Sequence, residues 1–175
     1  MLTRACVSQT YGIPSISRLL VATGQLASDN TASKRASDTG LLIGEFLLNP
    51  PDSARKFEGM ARMNYLHERH RKAGKITDPD LLYTLSLFAL EPVRWADRYD
   101  WRQLTDLERT AMGVFWRDVG EAMEIPYDML EPYMGKRRDG LGWLEAIDQW
   151  SMAYEENHST YFQVLRVRLW ISVQA

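Results

Sequence analysis

The densest group of side chains able to do chemistry is Asn64-Tyr-Leu-His-Glu-Arg-His-Arg71. A zincin helix needs His-Glu-x-x-His, so that both imidazoles share one face. The chain instead reads His67-Glu68-Arg69-His70, with the second imidazole one position too early. Two imidazoles at this spacing could still converge on a metal, but no third ligand of suitable spacing follows, and a di-iron bundle would need Glu-x-x-His pairs that the chain does not supply. No Gly-x-Ser-x-Gly elbow and no Gly-x-x-x-x-Gly-Lys loop occurs, which argues against serine hydrolases and P-loop nucleotidases. What remains is His67 flanked by apolar residues. An axial haem ligand looks like this, and so does an ordinary half-buried histidine. Glu91 and Arg94 read as an ion pair at i, i+3, or Arg94 as a grip on a haem propionate. Met60 and Met63 read as packing.

These side chains have to be carried by helices. Pro14 to Gly24 has matched helix start and stop signals, and a second helix over Lys34 to Leu48 ends before Asn49-Pro-Pro51. Ser53 caps a third helix running to Gly74, which places Phe57, Met60, Met63, Asn64, His67 and Arg71 in one broad sector. Thr77-Asp-Pro-Asp80 opens a fourth helix, Pro79 to Leu90, apolar nearly all round and therefore central; Glu91 to Trp95 continues it through a kink or a fresh start. Thr105-Asp-Leu-Glu108 matches a capping box and starts a helix reaching about Glu124. After Ile125-Pro126 and a polar connector from Pro132 to Gly140, Leu141 to Asn157 forms a last helix with Trp143, Leu144, Ile147 and Trp150 inward. Val164 to Trp170 alternates with a period of two, suiting a strand or an interfacial segment. About six helices and no strand pair give an all-α fold in a single helical domain.

Composition bounds the function. The chain has 175 residues, 45% apolar and 25% charged, a size at which one domain buries roughly 70% of its unfolded surface. Twenty-one basic against 23 acidic residues give a net charge of −2, so no global field attracts nucleic acid or an anionic bilayer. The single Cys6 forms no intrachain disulfide. Residues 1–10 lack the apolar core of a secretory signal, and the longest apolar run, Leu81 to Leu90, is about half of the ~20 residues a spanning helix needs. Six Trp and eight Tyr suit a core with polar handles, an apolar ligand pocket or a membrane interface.

Several ordered motifs carry a resemblance. Thr31-Ala-Ser-Lys-Arg-Ala-Ser-Asp-Thr-Gly40, Ala61-Arg-Met-Asn-Tyr-Leu-His67 and Asp80-Leu-Leu-Tyr-Thr-Leu-Ser-Leu-Phe-Ala-Leu-Glu-Pro-Val-Arg-Trp95 are followed by Tyr99-Asp-Trp-Arg-Gln-Leu-Thr-Asp-Leu-Glu108, Met123-Glu-Ile-Pro-Tyr127, Trp150 and Tyr154. Over residues 11–158 the chain resembles the fungal MpaB-type oxygenases and, more remotely, the bacterial latex-clearing rubber oxygenases. The resemblance implies a helical protein with a b-type haem pocket that uses O2 to cleave an isoprenoid carbon–carbon double bond of a prenylated small molecule. It makes His67 the axial haem and iron ligand, and Arg35 and Thr39 the distal pair. Rubber oxygenases place a Lys just before that Thr, where this chain has Asp38, so the MpaB branch is the closer match and Asp38 becomes a candidate proton acceptor. MpaB-type proteins are anchored to the endoplasmic reticulum by an apolar N-terminal segment not seen before the Tyr11-Gly-Ile-Pro14 motif, which leads us to expect a soluble or peripherally membrane-associated chain. Residues 159–175 do not resemble the family's continuation. The alternative reading is therefore a truncated, non-catalytic helical binding module.

Overall fold

Side-chain caps decide where the helices begin. The computed structural model describes residues 9–25 and 28–160, and its elements there are helical: α1 (Pro14–Ala22), α2 (Asp29–Leu48), α3 (Ala54–Lys72), α4 (Asp78–Tyr99), α5 (Asp106–Ala122), a 3-10 turn (Asp128–Tyr133) and α6 (Gly140–His158). The all-α class expected from the sequence is the one observed. The strand-like alternation at Val164 to Trp170 lies outside the described residues.

The chain divides into two units, one covering residues 15–77 and the other the described residues 9–14 and 78–160. In the first, Ser28 caps α2 by accepting from the Thr31 amide at 3.4 Å, which starts the helix one and a half turns before Lys34. The helix thus begins earlier than the Lys34 expected from the sequence. Asn49 ends α2, where Pro50 and Pro51 deny it further amide donors. Ser53 caps α3 through the Lys56 amide at 3.3 Å, and Gly74, at φ +64°, closes it while the Lys75 amide reaches the His70 carbonyl at 2.9 Å. Phe46, Met60 and Met63 are buried in this unit. Phe57, expected on the same inward sector, is 62% exposed. The Glu45 carboxylate ties α2 to α3: Arg55 donates to both of its oxygens, at 2.9 and 2.6 Å, and the Asn49 amide adds a third bond at 3.0 Å.

In the second unit α4 is the apolar centre. It buries Leu81, Leu82, Tyr83, Leu85, Leu87, Ala89, Leu90 and Val93. It runs unbroken through Pro92 to Tyr99, so the fresh start left open by the sequence does not occur. The capping box of α5 is complete, with Thr105 Oγ1 accepting from the Glu108 amide at 3.3 Å and Glu108 Oε2 accepting from the Thr105 amide at 2.8 Å. Helices α5 and α6 approach at backbone distance. A Cβ on Gly113 would overlap the Gly140 carbonyl, and one on Gly140 would overlap the Thr110 carbonyl. Trp116, Trp143, Leu144, Ile147, Trp150 and Tyr154 complete the core.

Candidate functional site

The α2–α3 pair carries His67, Arg35, Thr39 and Asp38. His67 sits on α3 as a half-buried side chain whose Nδ1 is shut off from solvent and has no hydrogen-bond partner among the described residues. Burial is the largest influence holding its imidazole below the ordinary value, and the positive charges of Arg35, His70 and Arg71 push in the same direction. The imidazole is accordingly neutral near pH 7, the form that ligates a metal. Arg35, on α2, is close enough to act electrostatically on it, so the structure puts this sequence-selected pair in one neighbourhood.

The other two α2 candidates are engaged within their own helix. Thr39 Oγ1 donates to the Arg35 carbonyl at 2.8 Å, which uses its proton and leaves oxygen lone pairs to accept. Asp38 is ion-paired with Lys34 one turn earlier. Beside them, α2 and the start of α3 frame an open groove of about 540 Å3 lined by Gly40, Leu41, Gly44, Leu48 and Arg55 among others. Neither Arg35 nor His67 lines it.

Arg94 belongs to the other unit. Its guanidinium donates to Glu91 Oε1 at 2.9 Å and to Asp148 Oδ1 at 2.6 Å, so the i, i+3 ion pair read from the sequence forms and a second carboxylate from α6 joins it. Arg94 lines an open cleft of about 430 Å3 with Asp97, Arg109, Arg137 and Glu145, above apolar Leu90, Val93 and Leu141.

Two long-range polar contacts escaped the sequence reading. Asp80, taken there only as an acidic residue suited to a helix start, is buried and accepts from Tyr154 Oη at 2.9 Å, while Tyr83 Oη donates to Glu155 Oε1 at 2.9 Å. A carboxylate directly before the apolar run Leu81 to Leu90 was the available signal, because a buried charge needs a partner. Burial and then the Glu155 charge push the Tyr83 phenol well above its ordinary value, so it stays a donor.

Of the residues present, His67 is the one that would hold a haem. His67 offers a neutral ring with an unpartnered buried nitrogen, and Arg35 supplies positive charge nearby. Among the described residues no three His, Cys, Asp or Glu side chains converge as a protein-built metal cage requires.

No family model matches the chain, and no solved structure matches it. It is 49% identical over 147 residues, 84% of this chain and 49% of the relative, to the ER-bound oxygenase mpaB of Penicillium roqueforti (strain FM164). It is 47% identical over 150 residues, 86% of this chain and 38% of the relative, to the ER-bound oxygenase mpaB of Penicillium brevicompactum. The ER-bound oxygenase mpaB' of that species gives the same identity and length, over 36% of the relative. The chain thus spans half or less of the length of these curated relatives. With this identity along most of its own length, the chain belongs to the MpaB-type family.

Proposed function

We propose that this chain contributes the His67-bearing part of a haem-dependent MpaB-type oxygenase that cleaves an isoprenoid C=C bond of a prenylated small molecule with O2, at the endoplasmic reticulum membrane. The observation that carries this reading is the neutral, half-buried His67 with a buried, unpartnered Nδ1, in a chain whose relatives are named oxygenases. When bound, a b-type haem supplies the iron at which O2 is activated. The roles of the protein's own groups follow from their chemistry. His67 would hold the haem as a neutral imidazole. Arg35, with a charge that cannot be lost, stabilises negative charge developing on oxygen. Thr39, its hydroxyl proton committed to the Arg35 carbonyl, would accept a hydrogen bond from a water molecule. Asp38 is the carboxylate of α2 available to take a proton, and Lys34 holds it in place. Arg94 is held in the other unit by Glu91 and Asp148.

Reconstitution with haemin tests this directly. The parent chain should show a Soret band that His67→Ala abolishes or strongly alters and His70→Ala preserves. A folded, helical parent with no band would overturn the haem reading. Equal loss in both variants would replace it with a metal held by the two histidines. With haem in place, O2-dependent conversion of a farnesylated aromatic into carbonyl fragments, followed by mass spectrometry, tests the reaction.

A further inference from the structure

The end of α4 and the start of α5 expose several aromatic and apolar side chains close together in the sequence. Trp101 is 86% exposed, Leu107 79% and Tyr99 62%, and the Trp95 and Tyr99 rings lie 4.5 Å apart. Charge beside them is neutralised locally. Arg102 places its guanidinium 5.4 Å from the Trp101 ring centroid and grips both Glu108 oxygens at 2.8 Å, while Arg109 donates to both Asp97 oxygens. Over residues 95–109 three arginines face four carboxylates, one net negative charge. Trp and Tyr with flanking Arg are the side chains that settle at the headgroup level of a bilayer, where the ring is half apolar and its edge is wet. A surface without net positive charge gains nothing from anionic lipid and matches zwitterionic headgroups.

We propose that Trp95, Tyr99, Trp101 and Leu107 form a membrane-contact surface that inserts into the interface of a phosphatidylcholine-type bilayer. This rests on the membrane association in the reading above and assigns it to a particular face. Trp101 and Leu107 enter the headgroup layer, and Arg102 stays at its polar edge.

The test is co-sedimentation of the 175-residue chain with sucrose-loaded vesicles of pure phosphatidylcholine, beside Trp101→Ser/Leu107→Ser. The parent should partition into the vesicles equally at low and high salt. The variant, with unchanged far-ultraviolet circular dichroism, should partition roughly tenfold less, and Trp101→Tyr, which keeps an interfacial ring, should retain most of the binding. A folded parent that stays in the supernatant overturns the proposal together with the membrane association. A parent and variant that bind equally overturn this surface alone. Binding that requires anionic lipid overturns it too, as does self-association of the parent that the variant abolishes, which would give the face to a second copy. None of these readings depends on haem, so the oxygenase reading stands or falls separately.

Discussion

Tyr154 Oη lies 2.9 Å from Asp80 Oδ1, a buried hydrogen bond that joins α6 to α4 across 74 residues of sequence. The Tyr154 ring is the hub of an aromatic cluster, 5.2 Å from the Tyr83 centroid, 5.1 Å from Trp150 and 4.2 Å from His158. A phenol at this position does two jobs. Its ring fills the apolar core, and its hydroxyl answers a carboxylate that burial would otherwise penalise.

Tyr154→Phe should therefore cost about 1–3 kcal/mol, because it keeps the ring and deprives Asp80 of a donor. Combined with Asp80→Asn in a double-mutant cycle, it should show a coupling of about 1 kcal/mol, read from denaturant midpoints. Additive effects would mean that the two groups act independently.

Glycine substitutions in the two units should have opposite signs. Gly113→Ala drives a methyl into the Gly140 carbonyl and forces α5 and α6 apart, at a cost of about 3 kcal/mol. Gly40, inside α2 with open space around its Cα, should accept Ala with a gain of about 0.5–1 kcal/mol from the better helix former. Thermal melts of both variants check the contrast.

Stability should fall on mild acidification because of His67. Its folded-state pKa is depressed by burial and then by the neighbouring positive charges, while the unfolded value is near 6.5. The unfolded chain therefore binds the proton more readily. The contribution is complete above pH 6.5 and is lost as pH falls through the folded value, at no more than about 1.4 kcal/mol per pH unit. The urea midpoint should be lower at pH 5.5 than at pH 7.5 for the parent, and the difference should shrink for His67→Gln.

The capping box gives a local check. Thr105→Ala removes the acceptor for the Glu108 amide and a donor, at 2.9 Å, to its carboxylate, and should cost about 1 kcal/mol. Thr105→Ser, which retains the hydroxyl, should recover most of that. Chemical denaturation of the pair decides it.

The sequence by itself determined the helical class and the helix boundaries at Asn49, Gly74 and Thr105, and it drew attention to His67, while Arg35 came from the family resemblance. Caps and breakers act through backbone amides within four residues, so they can be read locally. Where local signals overlapped, the reading slipped: a helix was expected from Lys34, yet Ser28 caps one that begins at Asp29. Pro92 looked like a break, but α4 carries on through it within a helix whose apolar face is buried on both sides of it. Only the tertiary structure decided the contacts between distant segments. It joined Asp80 to Tyr154, Tyr83 to Glu155 and Arg94 to Asp148, and it brought Gly113 against Gly140. It also left Phe57 exposed while sealing Nδ1 of His67 away from solvent. A helical period tells which residues share a face. Which helix covers that face, and how closely, is set by packing between segments far apart in the chain, and no short window of sequence records it.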